Sequence, residues 1–377
     1  MRKRVSQKIT AVIVFVFILA FLAVTILREK GHMSYQENRE LAQMPEISAA
    51  SLLDGSYFDE LGTYLSDHFA GRSHWLYVKG EIDAEVGESI VNGVFIADNM
   101  LLSTSSCEID NVEDIAAAFN EYTASYSGSV YLVAVPSSSG VYSELLPDYL
   151  ENDTEKQQID SLYSQLDSSI RTIDAYNILK MLNENYIYYR NDSKWTSYGA
   201  YCVYRTVIQK LGFIPTAYDK YTIEHITGDF RGNLYNITQY NGVKADMLDI
   251  YNYADGAEVT ECTGYNAKGE SFEMELYDRS AIYSCDMYNL YLGEAVPMIK
   301  ISTSVNNDKK LLVIKDSTAD CFIPFLIQHY SEIAVISPEC LTDGMSTLLN
   351  KNGYEQTLFL FGIDQFPDAE TLEAIND

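Results

Sequence analysis

Apolar runs at residues 311–315, 333–336 and 357–361 alternate with helical periodicity at 322–330 and 341–349. Such a βαβαβ pattern leaves few ways to fold. Right-handed crossovers lay successive parallel strands side by side and put the intervening helices on the sheet faces. The run SVYLVAV at 129–135, stopped by Pro136, reads as a further strand buried on both faces. Helical stripes precede and follow it: Phe58, Leu61, Leu65 and Phe69, then Ile115, Phe119, Tyr122 and Tyr126, then Ile159, Leu162, Leu166 and Ile170. The pairs Asn92-Gly93 and Asp98-Asn99 tolerate positive φ and predict tight turns. Residues 218–305 are richer in Gly, Asn and Tyr with short strand-like runs, and read as a β-rich insertion. The expected class is α/β, a three-layer sandwich around a mostly parallel sheet.

Residues 9–27 carry no charge and only Thr10 and Thr25 as polar groups, enough to cross a hydrocarbon core as a helix. Arg2, Lys3, Arg4 and Lys8 precede this stretch, so the positive-inside rule predicts a cytoplasmic tail at 1–8 and an extracytoplasmic remainder. The apolar run meets Arg28-Glu29-Lys30 without a small-residue cleavage site, which favours a retained single-pass anchor over a cleaved signal peptide. A juxtamembrane tether at 28–52 then leads to a domain at 53–377, held on the outer face of the cell membrane.

With 26 Lys+Arg against 54 Asp+Glu the net charge is −28, which repels nucleic acid. The six cysteines form no CxxC, and Cys262 with Cys285 is the one pair worth testing for a disulfide. No zinc-type cluster, P-loop or dinucleotide fingerprint occurs, so neither metal nor cofactor is expected.

In open α/β sheets, ligands bind where loops leave the carboxyl ends of strands. Asp316 and Ser317 follow the strand at 311–315 and begin the next helix, a place suited to a nucleophile with a backbone donor beside it. The same placement also suits a plain helix cap. A second cluster, Tyr188-Tyr189-Arg190-Asn191-Asp192-Ser193-Lys194-Trp195-Thr196, runs into a helix over 198–211. Its tyrosines suit either sugar stacking or a partly buried core.

That cluster, with Glu37-Asn38-Arg39, Asp67-His68-Phe69 and Arg72, Gly228-Asp229-Phe230-Arg231-Gly232-Asn233-Leu234-Tyr235, and Lys315-Asp316-Ser317, resembles the DHHW family of bacterial envelope proteins. The family is similar to alginate O-acetylation proteins of the SGNH hydrolase-like superfamily. The resemblance implies a Ser-His-Asp site that moves acyl groups on sugar hydroxyls. Ser317 and Asp192 match its nucleophile and carboxylate, while Asp316, Trp195, Tyr189 and Gly293 fall where substrate would be held.

The base departs from the pattern. Ser193 and Lys194 stand where histidines are expected, and a lysine beside Asp192 keeps its proton at neutral pH. His225 is an alternative base, and His68 reads as structural. A continuous helix would put His329 about 18 Å from Ser317. The implied oxyanion loop also differs, reading Tyr291-Leu292-Gly293-Glu294-Ala295, where a carboxylate would oppose a developing oxyanion. The expectation is an anchored, catalytically degenerate protein. It would bind a cell-envelope polysaccharide or support its modification, alongside a membrane acyltransferase partner. The alternative is an active O-acetyltransferase or acetyl esterase using Ser317 with Lys194 or His225.

Overall fold

The computed structural model describes residues 12–16, 19–21, 23–25, 27, 30–34, 39–85, 89–105, 109, 111–147, 149, 150 and 154–376. The chain forms two compact units: one of residues 1–87 with 239–241, the other of 88–238 with 242–377.

The larger unit is built on one eight-stranded sheet. In chain order its strands are β1 (Ser129–Val135), β2 (Ile170–Thr172), β3 (Val259–Tyr265), β4 (Ser271–Glu273), β5 (Met298–Thr303), β6 (Lys310–Lys315), β7 (Glu332–Ile336) and β8 (Gln356–Gly362). Their spatial order is β4-β3-β5-β7-β6-β8-β1-β2. The stretch from β7 to β2 is parallel, and β5, β3 and β4 extend it in antiparallel fashion. The sheet is therefore mixed, and half of the expected insertion is its edge. Within the expected insertion, Thr222–Phe230 and Asp246–Asn252 form an antiparallel pair separate from that sheet.

Side chains alternate across the strands, so each one feeds two cores. Leu311, Val313, Ile333, Val335, Leu358 and Leu360 pack with Val203, Tyr204, Val207 and Ile208 of a helix at Ser197–Lys210. Leu312, Ile314, Ala334, Ile336, Phe359 and Phe361 pack on the other face with helices Val112–Ala124, Thr154–Gln165 and Ala369–Asn376. Burying one such side chain stabilises the fold by about 1.5–3 kcal/mol, which explains why these runs behave as the sequence predicts. The turn at Asn92-Gly93 has φ of 50° and 80°, and joins Ile90–Val91 to Val94–Ile96.

Three predicted helices are altered. Residues 341–349 hold only a 3-10 turn at Met345–Thr347, because Thr342, Asp343 and Gly344 are poor helix formers. The helix expected over 322–330 is only Ile323–Leu326; beyond it the carbonyls of His329 and Tyr330 accept from the side chains of Asn307 and Thr303. The stripe ending at Ile170 breaks after Gln165, since Asp167 caps a turn by accepting from Ser169 N at 2.8 Å, and Ile170 starts β2.

Much of the predicted tail, span and first tether residues, namely 1–11, 17, 18, 22, 26, 28 and 29, lies outside the described residues. Among the described residues no helix is long and apolar enough to cross a membrane. The tether contains a short antiparallel pair, Met33–Ser34 with Arg39–Glu40. Arg39 grips Asp67 at 2.5 and 3.0 Å, Ala42 N donates to the same carboxylate at 2.8 Å, and His68 Nε2 bonds Ala42 O at 3.0 Å. The Arg39 guanidinium holds the Asp67 carboxyl down at about 2 despite its burial. A depressed acid stabilises the fold above its unfolded pKa near 4 and loses that contribution as pH falls toward 2. Asp67→Asn is expected to cost about 1–2 kcal/mol, read as lost amide protection at residues 39–42. The deficit relative to wild type disappears as pH is lowered from 4 to 2.

Candidate functional site

The site forms at the carboxyl ends of β6 and β8. After Lys315 the backbone of Asp316 stays extended, and its buried carboxylate accepts from Thr318 N at 2.9 Å and Gly362 N at 2.8 Å. A Cβ on Gly362 would lie 2.5 Å from Thr318 Oγ1, so glycine is what lets β8 close on the turn. Asp316, not Ser317, is therefore the cap, and Ser317–Ala319 is a 3-10 turn rather than the start of a long helix. The Ser317 hydroxyl, half-buried, donates to Gln365 Oε1 at 2.8 Å. Among the described residues no imidazole or amine is bonded to it.

The Asp192 loop is carried on a narrow turn, with Tyr188 bridged to Trp195 and Tyr189 N bonded to Lys194 O. Buried Asp246 clamps its start by accepting from Arg190 N at 3.0 Å and Asn191 N at 2.9 Å. Trp195 locks its end to the serine turn: the indole N–H donates to Thr318 O at 2.7 Å and the ring stacks on Phe322. Asp192 is itself consumed by backbone, accepting from Lys194 N at 3.0 Å and Asn233 N at 2.9 Å. Gly232 makes room for it, because a Cβ there would fall 2.0 Å from Asp192 Oδ2.

Lys194 points its ammonium at this acidic ground, 4.0 Å from Asp192 Oδ1 and 5.2 Å from the centre of the Tyr288 ring. Burial pulls it toward neutrality, but Asp192, Asp364, Asp286 and Asp316 outweigh that and raise it above an ordinary lysine. A charged amine cannot accept a proton. Asp364 stands exposed two residues past the end of β8. Asp316 is raised well above the usual range, first by burial and then by Asp364. Below the turn, Lys315 and Asp320 form a buried pair at 2.6 Å.

The structure thus brings Asp192, Lys194, Trp195, Asp316 and Ser317 together. Tyr189 and Trp195 are 1% and 0% exposed and offer no face to a substrate; Tyr189 packs on Phe230 in the core. Gly293, with φ of 73°, lines a depression with Phe272, Met274 and Asn289 whose walls include neither Ser317 nor Lys194. His225 binds Asp249 at 2.6 Å on the exposed antiparallel pair, and His329 is buried against Tyr204 and pushed down to about 4 by that burial. Cys262 and Cys285 are free thiols. Among the described residues no group of three or more His, Cys, Asp or Glu is placed to hold a metal ion. Sequence reasoning missed Gln365, Asp364 and Asp286. The signal for the first two was available, since they follow β8 at the same carboxyl edge as Ser317.

The sequence matches the profile of the DHHW protein family over residues 78–336. The chain belongs to the DHHW family. In this DHHW protein the motif reads Asp192-Ser193-Lys194-Trp195. No curated protein matches it. Its fold is similar to a DHHW family protein from Eubacterium siraeum at TM-score 0.64 and 24% identity, covering 75% of this chain and 96% of that one. It is also similar to Bacillus cereus PatB1 with a sulfonyl adduct, at TM-score 0.61 and 16% identity, covering 74% and 97%. The O-acetyltransferase domain of Pseudomonas putida AlgJ is less alike, at TM-score 0.43 and 14% identity over 72% and 91%.

Proposed function

We propose that this protein is a membrane-anchored, extracytoplasmic DHHW protein with an SGNH hydrolase-like core. In this reading it binds a cell-envelope glycan, or supports its modification beside a membrane acyltransferase, and does not itself transfer acyl groups. The observation that carries the reading is Lys194: an ammonium 4.0 Å from the Asp192 carboxylate, raised above an ordinary lysine by the acids around it, occupies the motif position where an imidazole would act as base. The Ser317–Gln365 hydrogen bond supports it, because that hydroxyl proton goes to an amide oxygen, which cannot take it up. The uncharged stretch at 9–27 and the basic residues before it support the anchor and its orientation.

Two observations favour a second reading, an active O-acetyltransferase or acetyl esterase. Ser317 remains accessible, and Trp195 still ties the Asp192 loop to its turn. The full chain in detergent, assayed for acetyl-ester hydrolysis and for labelling by a sulfonyl fluoride, separates the two. Wild type is expected to match Ser317→Ala within about twofold, against the 10²–10⁴-fold that a working base contributes. Turnover or labelling that vanishes with Ser317→Ala would establish the enzyme instead.

A further inference from the structure

An open groove of ≈ 550 Å³ is walled by Asn99, Glu144, Asn183, Asn185, Tyr186 and Arg190. Two structural links join it to the Asp192 loop of the candidate site. Arg190 precedes Asp192 in the clamped loop, and the groove's Tyr188 bonds Pro136 O at 2.6 Å, two residues before Ser138, whose amide donates to Ser193 O. Its size lies in the range of small-ligand sites.

The wall mixes flat and polar surfaces in the way a sugar demands. The Arg190 guanidinium lies over the Tyr186 ring at 4.5 Å, making a composite plate for the apolar face of a pyranose. Asn183 Nδ2 donates to Glu144 at 2.7 Å and Asn185 Nδ2 to Leu182 O at 3.2 Å, which leaves the two amide oxygens and the remaining lone pairs of the Glu144 carboxylate as acceptors for ring hydroxyls. Its charge selects among glycans. Arg190 is committed to Asp246 at 3.3 Å, and Lys180, which approaches through Glu144, is paired with it at 2.6 Å. Glu144 and Glu184 both stand in the wall, so no spare cation awaits a uronate or phosphate.

We propose that this groove is a subsite for a neutral saccharide chain such as an N-acetylhexosamine oligomer. The proposal rests on the glycan reading above and gives it a location and a substrate class. Neutral sugars gain hydrogen bonds and stacking here without meeting the repulsion that a polyuronate meets on a chain of net charge −28.

The test is calorimetric titration of the full chain in detergent with N-acetylglucosamine tetrasaccharide and, separately, an oligouronate of equal length. The neutral tetramer is expected to bind saturably and the oligouronate not at all. Asn183→Trp, which fills the groove, is expected to weaken the neutral ligand at least tenfold. Asn185→Trp, on the exposed rim, repeats the test should the first variant lower the thermal midpoint. Saturable binding that both tryptophans leave intact overturns the groove and keeps the glycan reading. Groove-dependent binding of the oligouronate overturns the neutral class. Absence of binding by either oligosaccharide overturns the glycan reading and the groove with it.

Discussion

Lys194→His is expected to raise Ser317-dependent ester hydrolysis by about 10²-fold or more over wild type, the low end of what a positioned general base contributes. The substitution replaces an ammonium that keeps its proton with an imidazole that can accept one, next to a carboxylate already in place. The surrounding Asp192, Asp364, Asp286 and Asp316 would lift the new imidazole above its ordinary value near 6.5. Activity should therefore rise with pH through neutrality, as the imidazole loses its proton, and not fall. Ser317→Ala in the same background should return the rate to baseline. A folded Lys194→His protein with no gain would show that the lysine alone does not silence the site. The Ser317–Gln365 bond would then be the next contact to break, by Gln365→Ala.

Trp195→Ala is expected to destabilise the larger unit by about 3–5 kcal/mol, the usual cost of removing a fully buried large aromatic residue. The ring is 0% exposed, stacks on Phe322, and its N–H satisfies Thr318 O, so truncation leaves a cavity and an unpaired carbonyl together. In a thermal melt this corresponds to a drop on the order of 5 °C for a unit of this size. Trp195→Phe keeps most of the stack and loses the hydrogen bond, for about 1–2 kcal/mol. A Trp195→Ala protein within about 1 kcal/mol of wild type would mean that the tryptophan is not what fixes the Asp192 loop to the serine turn.

Both predictions concern a motif whose tryptophan reads two ways from sequence. Placed among substrate-facing residues, Trp195 has its whole ring in the core, and its contribution is to position the loop from beneath. The same holds for Tyr189. Periodicity shows that an aromatic residue is apolar and rigid, but a six-residue turn has no period from which inward and outward can be told apart. The strands β1, β6, β7 and β8 were legible because continuous apolar runs of strand length have few alternatives to burial in a sheet. The helices between them were less so. The segment after Ile323–Leu326 is tied to Asn307 and Thr303 through the carbonyls of His329 and Tyr330, contacts that no local pattern shows.

Sequence alone determined the parallel heart of the sheet, the Asp-Ser turn at its carboxyl edge, the replacement of histidine by Lys194, and the pairing chemistry of the Asp192 loop. The sheet and the turn follow from local pattern and residue chemistry, and the replaced histidine from the resemblance to the DHHW family. Only the tertiary structure decided that strands at 259–303 extend the same sheet, that Asp364 and Gln365 join Ser317 from β8, and that four carboxylates converge on one lysine. The reason is that electrostatics and hydrogen bonding depend on through-space distance. The residues that set the charge on Lys194 come from loops at 192, 286, 316 and 364, which only the folded sheet brings together.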